Sequence, residues 1–212
     1  MIFSWDGGIR AFGAMVHARS KHKDNGCVQS NICTSRAKIS SNDVGDNELS
    51  SSLVSVRLAS STLGSMPELP GDMLVIFQGD SMCTGYCHKP SFVHLDRRRR
   101  NIGVCWSRGI RRLHAQYPNF TILLTWCPGD KNCADLVSKS HEDIPTILNS
   151  SLWRNGSEMF SEVDYPGPNV IIYGHLKNEE FIWSGFPNGT QHFLMCTNCN
   201  TASNDIGKDV AM

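Results

Sequence analysis

The 212-residue chain balances 20 Lys and Arg against 20 Asp and Glu, so bulk charge points to no partner. With 19% charged and 8% aromatic residues it has globular rather than disordered composition, and it is long enough for one well-buried domain plus an extension. No apolar run approaches the roughly 20 residues that span a bilayer, and Met1-Ile2-Phe3-Ser4-Trp5-Asp6 lacks the basic start and apolar core of a signal peptide. The nine scattered cysteines therefore read as reduced thiols of a cytoplasmic or nuclear protein, not a secreted one, and the sequons at Asn119, Asn149, Asn155 and Asn188 as incidental.

Residues 2–5 are apolar and end at Asp6-Gly7-Gly8; Ala11 to Val16 is a second strand-like run, which makes a hairpin. Asp6 taken alone is a turn aspartate. Asn25-Gly26 marks a turn, and Cys27 to Ile39 is a third strand of weak pattern. Asp46 is expected to cap a helix whose Leu49, Leu53, Val56 and Leu63 share a face and which ends at Gly64 and Pro67. Glu48 would lie in its first turn, where an acid suits the helix dipole. Met73 to Phe77 is a continuous apolar run, as expected of a strand buried on both faces, and it leads to Gly79-Asp80-Ser81. Asp80 is either an N-cap or a ligand-site residue, since ligands of open α/β sheets collect at strand ends.

Asp96 to Gln116 is the clearest amphipathic helix. Ile102, Trp106, Ile110 and Leu113 share one face, and Arg97, Arg100, Arg108, Arg111 and Arg112 cluster on the other. Gly103 and Gly109 argue against its continuity. Seven arginines in sixteen residues concentrate positive charge, which suits phosphate binding. Phe120 to Trp126 reads as another strand, broken by Pro128-Gly129; Asn132 then opens a short helix bearing Asp135 in its first turn. Asn132 and Asp135 taken alone resemble a capping arrangement. Ile147-Leu148 and Leu152-Trp153 are expected anchors, and Val170–Tyr173, Phe181–Trp183 and Phe193–Met195 short strands. The chain from about residue 200 is polar.

Acids thus sit at the end of the first strand, the start of the first long helix, the end of the buried strand and the start of the last helix. With this order the sequence resembles the ribonuclease H region of retroelement polyproteins, most closely the BEL/Pao class of LTR retrotransposons. The resemblance rests on Trp5-Asp6 with Ala11-Phe12-Gly13-Ala14, on Ser35-Arg36-Ala37-Lys38, and on Asn47-Glu48-Leu49 with Val56-Arg57-Leu58-Ala59. It continues through Gly79-Asp80-Ser81, Phe92-Val93 with the arginine run, and Trp126 to Lys139. Asn149 to Gly156 echoes the segment that follows the nuclease in such polyproteins.

The resemblance implies an α/β fold: a ribonuclease H-like mixed five-stranded sheet flanked by helices, with the first and fourth strands adjacent. That domain would span 1–140, followed by a small C-terminal extension, 141–212, of unassigned role. It implies a two-metal endoribonuclease that cuts the RNA strand of RNA–DNA hybrids. Asp6, Glu48, Asp80 and Asp135 would be its catalytic carboxylates and hold two Mg²⁺ ions, with Mn²⁺ as an alternative. Hybrid phosphates would meet the arginine helix. Implied partners are the hybrid and the reverse-transcriptase and integrase portions of a parent polyprotein, with no membrane. No reverse-transcriptase motif is present, and the start five residues before Asp6 suggests a fragment or a domesticated copy. Asn47 stands where the family usually has Arg before the Glu, and Ser138-Lys139 where it has Ser-Arg-Gly; Asp130-Lys131 lies where many cellular ribonucleases H carry a loop histidine, whose loss is common in retroelement versions. The alternative is a catalytically inactive module of the same fold that binds nucleic acid or another partner. In the tail, His192, Cys196 and Cys199 include a Cys-x-x-Cys pair, but the spacing of His175 and His192 fits no His-His-Cys-Cys set, and zinc is not expected.

Overall fold

The computed structural model describes residues 1–88, 96–139, 144–167, 170–177 and 180–184. Strands β1 (Ile2–Gly7) and β2 (Ala11–Lys21) form the expected hairpin, and β2 pairs antiparallel with β3 (Val28–Ile39). Gly26, at φ 67°, makes the turn between them, where a left-handed residue is needed. Helix α1 (Val44–Ser65) follows, then β4 (Leu74–Gly79), the short α2 (Met82–Cys87) and α3 (Arg97–Gln116). The described chain continues with β5 (Thr121–Trp126), α4 (Asp135–Ser138), α5 (Ile144–Asn149), α6 (Ser151–Asn155), β6 (Ile171–Lys177) and β7 (Glu180–Trp183).

All the strands join one sheet in the order β3-β2-β1-β4-β5-β6-β7. The pairs β1–β4 and β4–β5 are parallel and the rest antiparallel. The α/β class, the mixed sheet flanked by helices and the adjacency of the first and fourth strands are as expected. The strand number is not: the sheet has seven strands rather than five, because residues assigned to the C-terminal extension supply β6 and β7. Extending the sheet buries their apolar side chains: Tyr173 and Leu176 join the main core, with Phe181 and Trp183 packed against it.

Alternation along the strands divides the core between the two faces of the sheet. On β1, Phe3 and Trp5 point into one cluster with Val56, Leu63, Trp106, Ile110 and Leu113 of α1 and α3, while Ile2 points into the other with Met15, Phe160 and Tyr165. On β4, Val75 and Phe77 enter the first cluster and Ile76 the second, so this run is buried on both faces, as its composition requires. Trp106, Ile110 and Leu113 are almost fully buried and contribute roughly 2 kcal/mol each. The second face is covered partly by the chain after α4. Arg19 on β2 donates to the carbonyls of Phe160 (2.7 Å), Glu162 and Val163.

Several local expectations are corrected. Asp43, not Asp46, caps α1: its Oδ1 accepts from the Asp46 backbone N at 2.8 Å. Asp46 instead receives Arg99 Nε (2.8 Å) and Arg98 Nη1 (3.0 Å). Helix α3 runs unbroken through both glycines, which are where its neighbours come closest. A Cβ on Gly103 would strike the Cys87 carbonyl, and one on Gly109 the Val56 side chain. Of the expected pair Ile147-Leu148, Ile147 is half-buried and Leu148 is 46% exposed, whereas Leu152 and Trp153 pack on the second cluster. The strand expected at Phe193–Met195, the polar tail, the zinc candidates His192, Cys196 and Cys199, and Phe92-Val93 lie outside the described residues.

Candidate metal centre

Parallel pairing of β1 with β4 brings their C-terminal ends together, with Ser4 opposite Gln78. Two residues past each lie Asp6 and Asp80. Glu48 reaches the same point from α1, as the fifth helical residue rather than in the first turn, because the helix begins at Val44. Two contacts fix its approach. Asn47, fully buried, donates from Nδ2 to the Gly8 carbonyl at 2.8 Å. Gly7 leaves room for the helix: a Cβ there would collide with the Glu48 backbone nitrogen. One carboxylate oxygen from each of Asp6, Glu48 and Asp80 then lies within 4.8 Å of the others.

Asp135 stands at the edge of this group, not in it. It opens α4, close enough for its charge to raise the proton affinity of both Asp6 and Asp80. Its carboxylate is paired with Lys139 Nζ at 2.5 Å. Burial, followed by the charge of Asp6, pushes the Asp80 carboxyl up to about 7. Burial also raises Asp6, against the hydrogen bond donated by Ser138 Oγ to its Oδ2. Crowded, partly desolvated carboxylates of this kind are relieved either by holding a proton or by a cation. An all-oxygen set of converging acids is what a hard divalent ion such as Mg²⁺ requires, and the residues present fit one.

The turn between β5 and α4 carries partners that sequence reasoning did not assign. Asn132 is fully buried. It donates from Nδ2 to the Trp5 carbonyl (2.9 Å) and to Asp80 Oδ1 (3.2 Å), and its Oδ1 accepts from the Ala134 backbone N (3.2 Å). The helix start expected at Asn132 is not formed: α4 begins at Asp135, with Ala134 before it and no side-chain cap, and the Asn132 oxygen serves the turn that precedes the helix. Trp126 Nε1 donates to the Asp80 carbonyl at 2.6 Å. Ser138 enters the sequence reading only as part of the run from Trp126 to Lys139, and nothing in the spacing links it to Asp6. Of the pair replacing the loop histidine, Asp130 is exposed and Lys131 bonds Glu158.

On α3, Trp106, Ile110 and Leu113 are buried as expected and Ile102 half-buried. Arg97, Arg100, Arg108, Arg111 and Arg112 are exposed on the opposite side. Arg98 and Arg99, which helical spacing leaves off that face, tie α3 to the N-terminus of α1 through Asp43 and Asp46. The first turn of α3 therefore lies two residues along α1 from Glu48, and Arg108 to Arg112 lie about 15 Å farther along the helix. Arg111 also stacks over the Phe181 ring, 5.7 Å from its centroid.

No protein-family model matches the chain, and no curated protein matches it. Among solved structures it is similar to the crystal structure of RNase H1 from the halophilic archaeon Halobacterium salinarum NRC-1. The identity is 16%, over 64% of this chain and 90% of that one, and the TM-score is 0.39.

Proposed function

We propose that the chain is a Mg²⁺-dependent endonuclease that hydrolyses the RNA strand of RNA–DNA hybrids, working within, or derived from, a retroelement polyprotein. The observation that carries this is the convergence of Asp6, Glu48 and Asp80 from three separate elements, with Asp135 beside them. When bound, divalent ions at this centre would make a water nucleophilic and stabilise the leaving alkoxide. The chain's own part is to hold the acids. β1 and β4 set the separation of Asp6 and Asp80, α1 brings Glu48 over Gly7, and α4 presents Asp135. The exposed arginines of α3 suit the hybrid's phosphates, and contacts to the 2′-hydroxyl would select RNA.

The retroelement reading rests on the run from Trp126 to Lys139 and the echo at Asn149 to Gly156. With it go a cytoplasmic or nuclear location and reverse-transcriptase and integrase neighbours. No helix among the described residues is long and apolar enough to cross a membrane.

The test is cleavage of a hybrid labelled on its RNA strand, with Mg²⁺ or with EDTA, by the wild-type chain and by Asp80→Asn. Mg²⁺-dependent cutting of the RNA strand alone, lost in the variant, is expected. Equal background cutting by both proteins refutes the enzyme reading and leaves the inactive nucleic-acid-binding module.

A further inference from the structure

We propose that the turn 129–134 is a positioning device for the metal centre, in which Asn132 and Gly129 together set the orientation of the Asp80 carboxylate. The inference rests on the metal reading above and adds two residues to it. Both amide hydrogens of Asn132 are committed, one to the Trp5 carbonyl and one to Asp80 Oδ1, and its own oxygen is held by the Ala134 N–H. The amide cannot flip, because its oxygen would then face two acceptors. Asp80 Oδ1 therefore has a fixed donor, and that donor is anchored to the residue before Asp6 and to the residue before Asp135. Three acid-bearing elements are tied by one side chain that is itself fully buried.

The other oxygen is bounded by the same turn. A Cβ on Gly129 would lie 3.0 Å from Asp80 Oδ2, tighter than a relaxed contact. The missing side chain leaves that oxygen in place, while Trp126 Nε1 holds the Asp80 backbone carbonyl from the end of β5. The turn thus meets each of the two oxygens separately, with a donor at Oδ1 and a gap at Oδ2. Neither Asn132 nor Gly129 is placed to ligate an ion. They act through Asp80, as residues around metal ligands do, where removal of a partner typically weakens binding about 10–100-fold.

The experiment measures Mn²⁺ affinity by titration calorimetry on the full chain, together with the Mg²⁺ dependence of hybrid cleavage. The proteins are wild type, Asn132→Ala and Gly129→Ala, each checked for cooperative melting. Asn132→Ala is expected to bind Mn²⁺ about tenfold or more weakly, with cleavage recovered at higher metal concentration; a purely structural role would lower the melting temperature and leave metal affinity alone. A folded Asn132→Ala with affinity within about twofold of wild type overturns the proposal. Should Asn132→Ala not fold, Gly129→Ala decides. Gly129 is exposed, so its substitution spares the core; weaker Mn²⁺ binding supports the proposal and unchanged binding overturns it. A wild-type chain that neither binds Mn²⁺ nor cleaves overturns the metal reading, and the inference falls with it. Wild-type binding and cleavage with unaltered variants removes the inference alone.

Discussion

Replacing Asp80 by Asn tests the electrostatics of the centre without relying on catalysis. In the folded chain the Asp80 carboxyl is raised from 3.8 to about 7, by burial and then by Asp6. A group raised on folding contributes fully below its unfolded value and loses that contribution as pH rises through its folded value. Between pH 4 and pH 8 the metal-free protein should therefore lose stability on account of Asp80. At 1.36 kcal/mol per unit the ceiling is roughly 4 kcal/mol, and partial exposure with proton sharing by Asp6 brings a working figure to about 2 kcal/mol. Asn keeps an oxygen to accept from Asn132 and carries no charge. In EDTA at pH 8, Asp80→Asn should melt above wild type by roughly 4–8 °C, from about 2–4 °C per kcal/mol at this size. At pH 4 the two should nearly coincide. Mg²⁺ should then reverse the order: wild type gains about 2.7 kcal/mol at a hundredfold excess over its dissociation constant, and the variant gains little. Scanning fluorimetry across pH, with EDTA or Mg²⁺, reads all of this. A variant that melts below wild type in EDTA at pH 8, or one stabilised by Mg²⁺ as much as wild type, refutes the reasoning.

Other expectations follow from single contacts. Gly7→Ala should push α1 off the end of β1, lowering stability by about 2 kcal/mol or more and Mn²⁺ affinity with it, as denaturant melts and calorimetry would show. His88 is fully buried, stacked on Trp106 at 3.8 Å, and held down to about 3 by burial. Its stabilising contribution is present above about pH 6.5 and lost as pH falls toward 3. His88→Phe, which leaves Ser52 Oγ its bond to the Leu49 carbonyl, should flatten the acid limb of the stability curve; an unchanged limb in pH melts counts against it. Replacing Arg108, Arg111 and Arg112 by Gln should weaken hybrid binding and reduce the salt slope by about 0.9 for each phosphate no longer neutralised, with Mn²⁺ affinity unchanged. Arg19→Ala should release the segment at Phe160 to Val163, lowering stability by about 2–3 kcal/mol and speeding hydrogen exchange there.

The order of elements is legible because each carries a local signal. The apolar runs of the hairpin, the doubly buried run before Gly79 and the apolar stripe of α3 all report burial, which side-chain type records directly. The four acids are legible as element ends, and parallel pairing of β1 with β4 turns two such ends into neighbours. What the sequence does not carry is what depends on distance between elements. The glycines of α3 look like helix breakers because composition cannot say that Cys87 and Val56 press on those two positions. Asp46 looks like a cap because the arginines that claim it come 52 and 53 residues later. The strands β6 and β7 read as short strands without a sheet, because nothing in so brief a run names its partner.

The same distinction explains why Asp135 reads differently from the other three acids. Its place in the sequence motif matches theirs, yet in the structure its carboxylate is taken up by Lys139, four residues on, while Asp6, Glu48 and Asp80 crowd one another. The i,i+4 pair is a local interaction, available to α4 without any ion. Convergence of the other three depends on long-range packing, the pairing of β1 with β4 and the approach of α1. An ion drawing on Asp135 would compete with the Lys139 ammonium at Oδ2. A Lys139→Met variant removes the competing ammonium and keeps most of the side-chain length. It should raise Mn²⁺ affinity severalfold, or add a second binding event in the calorimetric titration. Unchanged affinity and stoichiometry would mean that Asp135 takes no part in holding the ions, and that three carboxylates form the whole centre.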